Sequence, residues 1–171
     1  MKDTPAPAPQ PAPLAGITLR LLGPADYALI EQAHDDVFDG PAHAALIDDF
    51  FDDPRALLAG AIDTTRDIGR GQLIGMASAH CYNHPDKPRQ LFIDEVGVAG
   101  SHRRRGIGNA LVQLLLAQGR ALGCVEAWVA TEEDNREARA LYAAAGGAAE
   151  SDRVVVYVFD LAPAAQRPDD T

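Results

Sequence analysis

Residues 93–116 read IDEVGVAGSHRRRGIGNALVQLLL, and the order of chemistries in this run decides the fold. Leu91 to Val98 is rich in β-branched and apolar residues and predicts a strand. A loop follows, with Arg103, Arg104 and Arg105 placed directly before Gly106-Ile107-Gly108. Ile107, Leu111, Leu114, Leu115 and Leu122 then recur at helical spacing, so a helix starts in the loop and runs to about Leu122. A helix N-terminus offers unpaired backbone N–H groups and the positive end of the macrodipole, and therefore suits an anion. Gly106 and Gly108 remove side chains that would block close approach. Arginines beside them add charge-assisted hydrogen bonds to a diphosphate. The third glycine of the dinucleotide fingerprint is missing, and no GxxxxGK[ST] loop occurs. The arginines thus serve a different anion, or lie on the surface.

Such a basic cluster stands out because the chain is acidic. It has 171 residues and a formal net charge of −10, from 25 acidic and 15 basic side chains. That balance argues against nucleic-acid and anionic-membrane partners, which need a broad positive surface. The length fits one domain with a sizeable core. The two cysteines, Cys81 and Cys124, form no CxxC and read as reduced core residues. There is no signal-peptide pattern and no apolar run long enough to span a membrane, so the expected location is cytoplasmic.

TPAPAPQPAPLAG near the N-terminus favours unbonded polyproline II structure and cannot nucleate a core. Residues 1–15 are expected to form a disordered Pro/Ala-rich tail and 163–171 a second one, with the folded domain at 16–162. Within it, Ile17 to Leu21 alternates as a strand. A helix is expected from Pro24 to about Phe38, and a second from Pro41 toward Phe51. Ala56 to Ile62 and Gln72 to Tyr82 read as a hairpin around TTRDIGRG. After the glycine-loop helix come a short strand, Val125 to Ala130, and a helix, Asn135 to Ala145, stopped by Gly146-Gly147. VVVYVFDL, Val154 to Leu161, reads as a buried strand. The order describes an α/β domain around one central sheet.

Within DNREARALYAAAGG, Asn135, Ala138, Leu141-Tyr142 and Gly146 sit at fixed intervals on one helix. Together with Arg103-x-x-Gly106-x-Gly108 upstream, this resembles the GNAT superfamily of N-acetyltransferases, over about Ile17 to Leu161. The resemblance implies the GNAT fold, a mixed central sheet of about six to seven strands flanked by four helices. It implies acetyl-CoA as cofactor and no metal. The backbone amides of Arg104, Arg105, Gly106, Gly108 and Asn109, in the loop that includes Ile107, would hold the pyrophosphate. Arg103 would add a side chain, and the backbone of Val96, Gly97 and Val98 would pair with the pantetheine arm.

Acetyl transfer to an amine needs a base for the ammonium, a donor for the thioester oxygen and a proton for the departing thiolate. Glu95, in the strand just before the loop, has apolar neighbours that raise a carboxyl pKa. By the resemblance it matches the general-base position, acting directly or through water. Asp94 competes for the role, and strand alternation lets only one of the two face the cleft. Glu95 lies closer to Val98, whose amide is the expected oxyanion donor. Tyr142 suits the general acid, against plain core packing at i+4 from Ala138. Asn135 reads as a helix cap that also reaches the pantetheine. His102 reads as a solvated loop residue and His80 as a core or cleft residue. His34, His43 and His84 have no metal-binding spacing.

DDVFDGPAHAALIDDFFDD, Asp35 to Asp53, carries seven aspartates. They form either a solvated face or, beside a cleft, a surface for a polycation. Lys87-Pro88-Arg89 through FIDEVGVAGSHRRRGI resembles the small aminoglycoside 3-N-acetyltransferases of type I. That resemblance implies 3-N-acetylation of an aminoglycoside, an antibiotic-resistance activity, with Asp39, Asp94, Glu132 and Asp134 holding the acceptor's ammonium groups. Asn135 and Gly147 depart from that branch. The alternatives are acetylation of a peptide N-terminus, a lysine or a small metabolite, and a non-catalytic acyl-CoA-binding module. The expected partner is a small cationic amine, and a homodimer is left open.

Overall fold

The computed structural model describes residues 14–65, 69, 71–149, 155–159 and 161. Strand β1 (Ile17–Leu22) leads through a 3₁₀ turn (Pro24–Asp26) into helix α1 (Tyr27–Glu31) and, after a non-helical stretch, α2 (Ala44–Asp52). Strands β2 (Ala56–Asp63), β3 (Gln72–Tyr82) and β4 (Gln90–Val98) follow. A second 3₁₀ turn (Gly100–His102) precedes helix α3 (Ile107–Ala121), strand β5 (Glu126–Trp128) and helix α4 (Arg136–Ala144). One five-stranded sheet has the order β1-β2-β3-β4-β5. The first four strands are antiparallel, and β5 runs parallel to β4 across the α3 crossover.

α3 buries Ile107, Leu111, Val112 and Leu115 against Leu73, Ile74, Ala77 and Leu91 of the sheet. Gly119 of α3 lies where a Cβ would come 3.0 Å from Leu91 Cδ2, so helix and strand are in close contact. This packing holds the end of β4 and the start of α3 in a fixed relation, which is what the site requires. Cys81 and Cys124 are free thiols with sulfurs 3.6 Å apart, and burial pushes the Cys81 thiol up to about 11.

Three expectations change. The helix expected to reach Phe38 ends at Glu31, because the next residues strap across the sheet instead. His34 N–H donates to Leu73 O (2.9 Å), and Val37 within the strap is 1% exposed. Pro41 does not open the second helix, which begins at Ala44 after an extended His43. Among the described residues the sheet has five strands, fewer than the six to seven expected. β5 is three residues long; of the strand expected at Val154 to Leu161, Val154 and Asp160 lie outside the described residues, and Val155–Phe159 and Leu161 carry no strand assignment and are 70–91% exposed. An apolar run becomes a buried strand only where a partner edge is long enough to pair with it, and β5 is short.

The tails expected at 1–15 and 163–171 fall outside the described residues except for Leu14 and Ala15. Leu14 packs against the core. Among the described residues no helix is long and apolar enough to cross a membrane.

Candidate active site

The loop between β4 and α3 combines left-handed backbone, free helix amides and arginines. Arg104 has φ +59° and Gly106 φ +83°, which turn the chain so that α3 begins with its N-terminus facing outward. The first helical bond is from Ala110 N–H to Gly106 O (3.0 Å), and no side chain caps the helix. The N–H groups of Ile107, Gly108 and Asn109 therefore have no intrahelical acceptor. They border an open cleft of about 680 Å³ lined by Val98, Gly100, His102, Arg103, Arg104, Gly106, Ile107, Gly108 and Asn109. Uncapped amides beside two guanidinium groups fit a diphosphate. Arg103 Nε–H donates to Val98 O (2.9 Å), which fixes the guanidinium at the mouth of the loop.

The two glycines differ in what they do. A Cβ at Gly106 would meet nothing within 4 Å, so its requirement is the left-handed φ. A Cβ at Gly108 would come 3.3 Å from Leu141 Cδ1, so that glycine lets α4 approach α3. α4 supplies the far wall of the cleft with Glu137, Ala140 and Leu141. Glu137 and Ala140 carried no expectation from the sequence, and Leu141 was read only as part of the helix motif; their i, i+3, i+4 spacing on one helix face was the available signal. Val96, Gly97, Arg105 and Asn135 do not line this cleft.

Glu95 stands where β4 and β5 part. β5 pairs with Gln90, Leu91 and Phe92, so, among the described residues, positions 94–98 of β4 have no strand partner on that side. On the other side the register skips Asp94: Ser78 faces Glu95 and Ala79 faces Ile93. Asp94 is thus the extra residue of a β-bulge, and the strict alternation expected to exclude one acid does not hold across it. Asp94 is exposed and Glu95 half-buried. Burial raises the Glu95 pKa above the usual carboxylate range, and the charges of Asp39 and Asp94 raise it further. Ser78, His80 and Tyr82 share the Glu95 face, together with Phe92 and Trp128, whose ring centroids lie 4.5 Å apart with the planes tilted by 38°. Tyr82 O–H donates to Gln90 Oε1 (2.8 Å) and accepts from Trp128 Nε1.

Tyr142 is half-buried against the core, and its pKa is raised by burial and then by the charge of Glu132. Asn135 caps α4 as expected, its Oδ1 accepting from Ala138 N–H (3.0 Å). Asn135→Ala is expected to cost about 1 kcal/mol, read as a lower urea midpoint with an unchanged slope. Asp134 is exposed in the preceding turn, where its backbone O accepts from Arg136 N–H (2.8 Å).

The aspartate-rich segment is partly committed. Asp53 pairs with Arg55 (2.9 Å), and Asp36 accepts from Gly100 N–H (3.1 Å). His102 is not the solvated loop residue the sequence suggested. It is 7% exposed and 3.3 Å from Asp63, because the 3₁₀ turn brings its ring against the end of β2. Among the described residues no cluster of metal-ligating side chains forms.

The family model of the GNAT acetyltransferases matches residues 26–146. No curated protein matches the chain. Among solved structures, an aminoglycoside acetyltransferase from an uncultured soil metagenomic sample, in complex with trehalose, superposes with a TM-score of 0.71. Its identity is 15%, over 86% of this chain and 97% of that one. The aminoglycoside acetyltransferase AAC(6')-Iy, bound to a CoA-S-monomethyl-acetylneamine bisubstrate analogue, has a TM-score of 0.67 and 21% identity, over 84% and 98%. An acetyltransferase of Trypanosoma brucei has a TM-score of 0.65 and 20% identity, over 83% and 99%. At these identities the likeness shows the fold. The family match spans most of the chain, including the glycine loop, the bulged strand and α4: the chain belongs to the GNAT acetyltransferase family and is an acetyl-CoA-dependent N-acetyltransferase.

Proposed function

We propose that this enzyme acetylates a primary amine of a small polycationic acceptor, an aminoglycoside, with the 3-amine as the site of transfer. The observation that carries this reading is the half-buried Glu95 flanked by the charges of Asp39 and Asp94. An acceptor with several ammonium groups relieves that crowding: one ammonium meets the base while others pair with the neighbouring carboxylates. The Phe92–Trp128 pair on the same face offers ring surfaces to a cationic sugar.

Acetyl-CoA supplies the activated acetyl group. Glu95 takes the proton from the acceptor ammonium, directly or through water. On the side of β4 away from β3, the backbone of Val96, Gly97 and Val98 orients the acyl chain, and the Val98 amide donates to the carbonyl oxygen. Tyr142, with its pKa raised, holds a proton for the departing sulfur. Arg103, Arg104 and the amides from Gly106 to Asn109 bind the diphosphate. Glu132 and Asp134 lie before α4 as further partners for acceptor ammonium groups. AAC(6')-Iy carries 6' in its name, so the position of transfer is an arm of the test.

Mixing the protein with acetyl-CoA and a panel of amines, and following free thiol, tests the proposal. Release with aminoglycosides, and a product acetylated at the 3-amine by NMR, is expected. A 6' product would overturn the regiochemistry. Release only with peptides or lysine would overturn the acceptor class, and no release despite CoA binding would point to the acyl-CoA-binding module.

A further inference from the structure

Asp63 ends β2, paired with Ile17 of β1 and Gln72 of β3. It is 7% exposed, as is His102. Its Oδ2 lies 3.3 Å from His102 Nε2, and its Oδ1 accepts from Thr65 N–H (2.9 Å) and Thr65 Oγ1–H (2.6 Å). On the other side of the ring, His102 Nδ1 lies 2.8 Å from Ser101 Oγ. The Nε2–H tautomer satisfies both ring contacts: Nε2–H donates to Asp63, and Nδ1 accepts from the serine hydroxyl. The Thr65 hydroxyl and N–H, more than the histidine, hold the Asp63 carboxyl below its usual range.

A buried carboxylate beside an imidazole costs desolvation that an apolar pair of equal volume would avoid, so packing alone does not account for it. Its position does. His102 closes the 3₁₀ turn that feeds the glycine loop, and the residue is part of the cleft lining. Arg104 follows in a left-handed conformation (φ +59°), which for a residue other than glycine needs an external hold. The same turn is held from a second direction by Asp36 on Gly100 N–H.

We infer that Asp63, acting through His102, is a positioning residue for the cofactor loop, fixing the turn so that the α3 amides and the arginines converge on the diphosphate. The inference rests on acetyl-CoA use alone and is independent of which amine accepts the acetyl group.

The test uses the full chain with free coenzyme A as the calorimetric probe, alongside steady-state kinetics. Asp63→Asn is expected to weaken CoA binding about 10-fold and raise the KM for acetyl-CoA to match, with a much smaller fall in kcat. His102→Gln keeps an N–H within reach of Asp63 and should retain most of the affinity. His102→Phe fills the space without donating and should behave like Asp63→Asn. A merely structural pair predicts a lower Tm with CoA affinity within about twofold of the parent, the scatter of a surface change of ±0.5 kcal/mol, and that result overturns the inference. If Asp63→Asn does not fold, the two His102 variants decide: equal CoA affinity in Gln and Phe overturns it as well.

Discussion

Replacing Glu95 by Gln is expected to lower kcat by about 10²- to 10³-fold while leaving acetyl-CoA affinity nearly unchanged. The amide keeps the size and hydrogen-bonding reach of the carboxylate but cannot take the ammonium proton. Because the cleft at the start of α3 does not include Glu95, the cofactor's diphosphate contacts stay intact. Unchanged turnover would move the base to Asp94 or to bulk water. The pH profile adds a second readout. Burial, then Asp39 and Asp94, raise the Glu95 pKa, so the acid limb of kcat/KM should fall above the usual carboxylate range. The variant should lack that limb.

Stability should move opposite to activity. A carboxyl whose folded pKa is raised binds its proton more tightly in the folded state than in the unfolded chain. Its contribution is present below the unfolded pKa and lost as pH rises through the folded one. Above its raised folded pKa the ionised Glu95 is therefore a burden on the fold, and Glu95→Gln should raise Tm there relative to the parent. The gain should shrink as pH falls toward the acidic range, where Glu95 is protonated in both states. A variant less stable above that pKa would show that the carboxylate has a favourable partner.

What was legible in the sequence is what neighbours in sequence determine. Ile107, Leu111 and Leu115 mark α3 by period, Gly106 marks its start, and Asn135 caps α4 three residues before Ala138. The hairpin of β2 and β3 is likewise local. The parts that differed are set by residues distant in sequence. α1 ends early because His34 N–H finds Leu73 O, 39 residues away. Asp94 is extruded because β3 sets the register of β4. His102 is buried because the end of β2 offers it a carboxylate. The apolar period of VVVYVF states that a surface would be covered, not that a partner edge is within reach. The wall formed by Glu137, Ala140 and Leu141 depends on how two helices cross, which no single helix encodes.

Gly97→Ala is expected to be among the most destabilising single-methyl changes in this chain. Gly97 lies on β4 opposite Met76, and its φ is not left-handed, so backbone strain is not the issue. The obstacle is Val37 O, which would lie 2.2 Å from the new Cβ, with the carbonyl carbon at 3.2 Å. Both atoms are backbone, and no rotamer can relieve the collision. The strap that carries them is held by His34 N–H on Leu73 O and by Asp36 on Gly100 N–H, so retreat breaks these bonds too. A loss of about 3 kcal/mol is expected, and with it a fall in Tm of about 10 °C. The strap also carries Asp39, whose charge raises the Glu95 pKa. Its displacement should move the acid limb of kcat/KM to lower pH in whatever fraction remains folded. Gly106→Ala provides the contrast: it meets no atom within 4 Å but must hold φ +83°, a cost of about 1 kcal/mol. If Gly106→Ala proved the more damaging to stability, close packing of the strap on β4 would not be what holds the base in place.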